Sequence, residues 1–260
     1  MKNLPTIILG AAVASMAGTA TAQVSNVVYN ISASSSLGSA SLSFTQSDAE
    51  VTNNGDGSYT LAFSGATDLV DSGTGNVIAT LTGATAMLNP GFNGLDPRIN
   101  LGFSVENGLA DSEITITSGT AQFSPFPSGD AFAAGSVTLT TGDGAVVNAD
   151  GLVGGNYFFG GFTGLSSDGD PDFPFTDQVA MLMPDPLSTQ GSAVQSDVMP
   201  AQPITGPFDG IGSTFSFSLS ESGQLSGTST FTVTPTPGTA ALLGLAGIAV
   251  STRRRGGRLG

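Results

Sequence analysis

The chemistry open to this chain is narrow. Its 260 residues include no His and no Cys, and its six basic residues are Lys2, Arg98, Arg253, Arg254, Arg255 and Arg258. Without His or Cys there is no Ser-His-Asp or Cys-His nucleophile system, and no zinc or iron site built on those ligands. The one Lys is the second residue, so the body of the chain has no Ser-Lys dyad either. The pairs Gly154-Gly155 and Gly160-Gly161 match neither a phosphate-binding loop nor a dinucleotide fingerprint, and no Lys follows them. Carboxylates, hydroxyls and oxygen-bound hard cations remain.

Two carboxylate chemistries are conceivable. A pair of acids flanking a glycosidic bond can hydrolyse it, but no particular pair among the twenty acids is marked out by spacing. The second possibility is local. Asp168-Gly169-Asp170-Pro171-Asp172, with Asp177 beyond, places acids at alternating positions of a Gly/Pro turn. Such a turn can aim several carboxylate oxygens at Ca²⁺. It lacks the Gly and Glu of a helix-loop-helix calcium loop, since Phe173 and Val179 stand at those positions. The competing reading is a solvated loop in which Asp side chains cap turns. Calcium is therefore the one cofactor the sequence suggests, with Asp168, Asp170, Asp172 and Asp177 as its ligands.

Sugar binding usually needs aromatic platforms, and the chain has no Trp and three Tyr: Tyr29, Tyr59 and Tyr157. Tyr157-Phe158-Phe159 reads either as such a platform or as a buried strand over 156–159. All twenty acids lie between Asp48 and Glu221, against a single base, Arg98. That imbalance excludes a nucleic-acid partner, which needs clustered Lys and Arg. It favours solubility and attracts divalent cations. Arg98 itself is expected to pair with a neighbouring acid; alone in a cleft it would grip an anionic sugar.

The elements that position these residues are strands. Ser213 to Ser220 alternates strictly, with Phe215, Phe217 and Leu219 on one side and Ser on the other. The same alternation marks 40–45, 58–63, 76–81, 99–103, 113–117 and 136–140. Turn signals separate them at Asn54-Gly55-Asp56-Gly57, Asp71-Ser72-Gly73, Asn89-Pro90-Gly91 and Gly142-Asp143-Gly144. A hairpin is expected where Glu221 to Gln224 breaks the run before 228–233. The pattern predicts an all-β domain over 23–234, an antiparallel β-sandwich or jelly roll. Seven prolines between Pro171 and Pro207 predict an irregular excursion over about 168–210, with one strand at 178–183.

Both ends read as processing segments. Residues 1–22 have the order of a signal peptide: Lys2, an apolar run from Leu4 to Ala17, then Ala20-Thr21-Ala22. Signal peptidase cleavage after Ala22 would leave Gln23 first. At the other end, Pro235-Thr236-Pro237-Gly238-Thr239 precedes the apolar run Ala240 to Val250 and the cluster Arg253-Arg254-Arg255. Basic residues beside an apolar segment stay cytoplasmic, which suits transient insertion of a short helix with the body of the chain outside. This order over 235–260 resembles the PEP-CTERM sorting domain of Gram-negative bacteria, with Thr236 where the signature has Glu. The resemblance implies removal of the tail by an exosortase, and an exported protein of the envelope surface or matrix, often linked to extracellular polysaccharide and biofilm.

Two functions follow as expectations. The first is a structural or adhesive surface or matrix protein that is not an enzyme, since His, Cys and Lys are missing and the acids sit in turns open to water. The alternative is a secreted carbohydrate-binding module or glycan-active enzyme on a jelly-roll scaffold. A concave face lined with aromatic rings and a convergent carboxylate pair would distinguish the second from the first.

Overall fold

The computed structural model describes residues 22–91, 95–141, 146–148, 158–164, 187–188 and 191–236. Among them lie fourteen strands and no helix. In order these are β1 (Gln23–Val24), β2 (Val27–Ser35), β3 (Gly38–Thr45), β4 (Val51–Asn53), β5 (Tyr59–Val70), β6 (Val77–Asn89) and β7 (Arg98–Asn107). They continue with β8 (Ser112–Ser118), β9 (Ala121–Thr141), β10 (Val146–Asn148), β11 (Phe158–Gly164), β12 (Leu187–Ser188), β13 (Gly191–Leu219) and β14 (Gln224–Pro235).

Alternation explains why these segments are strands. In β8, Ile114 and Ile116 are fully buried while Glu113, Thr115 and Thr117 turn outward. A residue pattern of period two buries one face and wets the other. The described part of the chain is accordingly all-β, and every ladder is antiparallel.

The strands form two sheets. In the first the order is β3-β2-β8, then the C-terminal part of β13, with β11 beyond it. In the second it is the N-terminal part of β13, then β9-β14-β7-β6-β5-β4. The 29-residue β13 runs through both. Its register against β9 shifts at Met199/Gln202, Thr205/Phe208 and Phe208/Gly210. Bulges of this kind bend a strand and increase its twist, which lets one strand leave the second sheet and enter the first.

The two inner faces meet in an apolar core. Phe103 of β7 stacks on Phe217 of β13, with ring centroids 5.6 Å apart, and meets Phe215 edge-on at 4.9 Å. Phe44 of β3 lies 5.2 Å from Phe63 of β5. Gly227 makes room for the Phe103 ring, since a Cβ there would come within 2.5 Å of it. Tyr29 is fully buried in the same core, and burial raises its phenol far above the usual range.

Two local expectations need correction. Glu221 to Gln224 does not turn a hairpin: β13 pairs with β8 at this point, and β14 pairs with β7 and β9. The chain instead arches from one sheet to the other through Ser222, whose φ is 56°, because Phe217 and Leu225 must enter the core from opposite layers. The irregular excursion also ends earlier than expected, since 191–210 belongs to β13. Pro200 and Pro203 are tolerated there because residues 191–205 pair on one side only among the described residues, with β9, and Pro207 falls in the register shift between Thr205 and Phe208. Proline lacks the N–H that a second neighbour would need. Of the strand expected over 156–159, Phe158 and Phe159 lie in β11, and Asn156 and Tyr157 lie outside the described residues.

Candidate functional site

The outer face of the first sheet is built almost wholly from hydroxyls. Cross-strand pairing sets Ser41, Ser32, Thr115 and Ser216 in one row. Ser39, Ser34, Glu113 and Ser218 form the next row, and Ser43, Asn30, Thr117 and Thr214 a third. Side chains directly opposite on antiparallel strands lie about 5 Å apart, close enough to interact. Asn30 Nδ2 donates to Ser43 Oγ at 2.7 Å, and the Thr115 and Ser216 hydroxyls are 3.3 Å apart.

Two hollows occupy this face. The first, of about 500 Å³, is bordered by Ser32, Ser34, Ser41, Glu113 and Thr115 and walled by Val70 and Ser72 at the tip of the β5–β6 hairpin. The second, of about 460 Å³, is bordered by Ser34, Ser35, Asp111, Glu113 and Ser218. They share Ser34 and Glu113 and so lie side by side. The Glu113 carboxylate and the hydroxyls of Ser32, Ser34 and Ser41 have no hydrogen-bond partner among the described residues.

Asp71 holds the wall in place. Its Oδ2 accepts from the Ser39 N–H at 3.1 Å across the gap between sheets. Its Oδ1 accepts from Gly73 N at 3.1 Å, Thr74 N at 2.7 Å and Thr74 Oγ1 at 2.8 Å. The Ser39 amide, followed by the Thr74 hydroxyl and amide, pulls the Asp71 carboxyl down to about 2. Asn76 Nδ2 adds a bond to Leu37 O at 3.2 Å. Asp56, in the β4–β5 turn, is lowered in the same way by the Ser58 hydroxyl and amide.

The second sheet's outer face carries uncharged hydroxyls at its centre, with Val194 and Val198 exposed at the β13 end of the rows. Thr85, Gly102, Thr228, Ser136 and Ser196 form one row and Ser104, Ser226 and Thr138 another. Ser136 and Thr228 share a hydrogen bond at 3.1 Å. A shallow hollow of about 270 Å³ lies over Gly102, where a side chain is missing.

The residues singled out from sequence are scattered. Asp168, Asp170, Asp172 and Asp177 lie outside the described residues, as do Ala20, Pro237, Arg253, Arg254, Arg255 and Tyr157. Among the described residues no group of three or more acids is placed to hold a metal ion. Ala22 directly precedes β1, and Gln23 begins it opposite Gln122 of β9. Pro235 ends β14 opposite Gly129. Thr236 is tied to β9, its N–H to Ser128 O at 3.1 Å and its hydroxyl to Ser128 Oγ at 2.7 Å. Arg98 makes no ion pair among the described residues. Its Nε donates to Thr232 Oγ1 at 3.2 Å, because its cross-strand neighbours Asn89 and Thr232 are uncharged. Asp96, two residues away, accepts from Thr234 Oγ1 at 2.9 Å instead.

Sequence reasoning placed hydroxyls on strand faces but missed the hollows. Their wall depends on Asp71 meeting a strand 32 residues earlier in the chain, and local spacing carries no signal for that. Comparison with protein-family models, curated proteins and solved structures finds no match to the chain.

Proposed function

We propose that this is an exported, non-catalytic structural or adhesive protein of the cell surface or extracellular matrix, built on a jelly-roll-like β-sandwich. In this reading a signal peptidase removes 1–22 and an exosortase-type enzyme processes the tail from Pro235 onward. The observation that supports it best is the division of side chains between faces. Phe44, Phe103, Phe215, Phe217 and Phe231 are buried between the sheets, while hydroxyls line the outer rows. Hydroxyl-rich surfaces are suited to hydrated, weak and repeated contacts, and the aromatic platform of a tight sugar cleft is missing from these rows.

Fractionation of the producing cells tests the reading. The protein is expected in the envelope or matrix fraction, and a chain lacking 235–260 is expected in the medium. Recovery of the intact protein in the cytoplasm would overturn export. Asp111 and Glu113 border one hollow, so they are the acids to check for hydrolysis. Release of reducing sugar by the purified protein, lost in Glu113→Gln, would overturn the non-catalytic reading.

A further inference from the structure

We infer that the two adjoining hollows on the outer face of the first sheet form a docking groove for a neutral polysaccharide chain. The inference rests on the surface-protein reading above and gives it a partner class.

The first argument is shape. Hollows of about 500 and 460 Å³ meet at Ser34 and Glu113. Each falls in the range of small-molecule sites, and together they make a trough along the sheet. A trough accepts an internal stretch of a polymer, whereas a closed pit selects a chain end.

The second is unused hydrogen-bonding capacity. Ser32, Ser34 and Ser41 each offer one donor and two acceptor lone pairs, and Glu113 offers only acceptors. None of these side chains has a partner among the described residues. A sugar hydroxyl is both donor and acceptor, so adjacent hydroxyls on one ring can donate to the two Glu113 oxygens while others pair with Ser. Bonds to an ionised acceptor are about twice as strong as neutral ones. The Val70 side chain, 45% exposed on the wall, offers apolar surface to the C–H face of a ring.

The third is charge. Among the described residues no base borders either hollow, and Arg98 is on the other sheet. Asp111 and Glu113 therefore repel uronates, sulfated glycans and nucleic acid, since like charges across an interface are costly. An amino-sugar polymer is the competing ligand, because it would satisfy the same carboxylates. The hydroxyl majority favours the neutral chain. With no aromatic stacking, each contact is weak and retention comes from several contacts along one polymer.

Affinity electrophoresis of the protein purified from its producing cells tests this. Native gels would contain a soluble neutral glucan, alginate or a soluble chitosan. Retardation is expected in the glucan gel and none in alginate. Glu113→Ala should weaken the glucan interaction about tenfold, the effect of losing a charge-assisted bond. Ser34→Phe, at an exposed position, should block the junction and abolish it. Ser136→Phe on the second sheet should change nothing. Circular dichroism would verify that each variant is folded. Wild-type mobility of both Glu113→Ala and Ser34→Phe in glucan, no retardation by any neutral glycan, or stronger retardation in chitosan would each overturn the groove. Cell fractionation decides the surface location separately, so either idea can fail alone.

Discussion

The α-carbon of Gly38 packs so closely on Asp71 that a Cβ at Gly38 would lie 2.5 Å from the Asp71 Cγ. Gly38 also has φ = 134°, a conformation that side chains rarely adopt. The contact joins the β2–β3 hairpin of one sheet to the β5–β6 hairpin of the other. Gly38→Ala should therefore both strain the turn and push the carboxylate off the Ser39 amide. A cost of about 2 kcal/mol is expected, from strain of 1–3 kcal/mol at such positions. For a domain of this size that lowers the melting midpoint by roughly 4–8 °C. Calorimetry on the variant checks it, and an unchanged midpoint would mean the hairpins part without cost.

Acid should loosen the same clasp. The Asp71 carboxyl is held down to about 2 when folded, against 3.8 ordinarily. A lowered folded value contributes stability that is fully present above about pH 4 and is lost as the pH falls towards 2. Urea unfolding of the wild type should thus weaken between pH 4 and 2. Asp71→Asn should be less stable at pH 6 and converge with the wild type near pH 2. Parallel pH curves for the two proteins would show that the charge at 71 is immaterial.

Gly227 and Phe103 should couple. The Phe103 ring occupies the space of a Gly227 Cβ and fills the gap to Phe215 and Phe217. Phe103→Ala is expected to cost 3–5 kcal/mol, as core Phe truncations do. Gly227→Ala should cost about 1–3 kcal/mol by overpacking. Combined, the two should cost clearly less than their sum, because the smaller side chain at 103 frees the space. Additive costs in chemical denaturation would mean that the ring does not rest on Gly227.

Strand identity was legible from sequence because it is local. The alternation around Phe215, Leu42, Leu61, Ile99 and Ile114 needs only the residue order, and each of these lies in a strand with its apolar side inward or half-buried. Partner choice was not legible. Leu219 and Leu225 are six residues apart yet lie in different sheets, a fact set by Ser112, Val105 and Leu139 on strands far away in sequence. The same holds for the candidate site. Ser34 and Glu113 are adjacent only through the β2–β8 pairing, and prolines in β13 concealed a strand whose residues 191–205 pair on one side only among the described residues.

The N-terminus offers a direct check on processing. Gln23 and Val24 pair with Gln122 and Ala121, so cleavage after Ala22 would leave the first residue within a ladder and without an overhang. The mature protein is expected to begin at Gln23 and to lack 253–260. Intact-mass measurement of envelope material decides both ends. Peptides crossing Ala22–Gln23 in the bulk of the protein, or the Arg cluster retained in secreted material, would reject the corresponding cleavage.

The outer edge of β3 carries two carboxylate caps, and removing them should make the protein self-associate. Among the described residues β3 ends the first sheet, with β2 on its other side. The Ser39 N–H donates to Asp71 Oδ2 at 3.1 Å, and the Thr45 N–H donates to Asp48 Oδ2 at 2.6 Å. Both amides therefore point away from β2, and by the period of two so do those of Ser41 and Ser43. An edge with free amides is a template for another strand. Here the two caps leave a gap of only two donors and surround it with negative charge. Asp48→Ala with Asp71→Ala would expose four donors in line and remove both charges. Sedimentation velocity should then show more dimer and larger species than the wild type at equal concentration, with each single variant intermediate. Loss of stability alone could also cause association, so a third substitution separates the causes. Ser41→Pro in the double variant removes the central outward amide without touching a bond to β2. It should restore the wild-type distribution if edge pairing is responsible. Persistent association in that triple variant would trace the effect to partial unfolding and refute the edge argument.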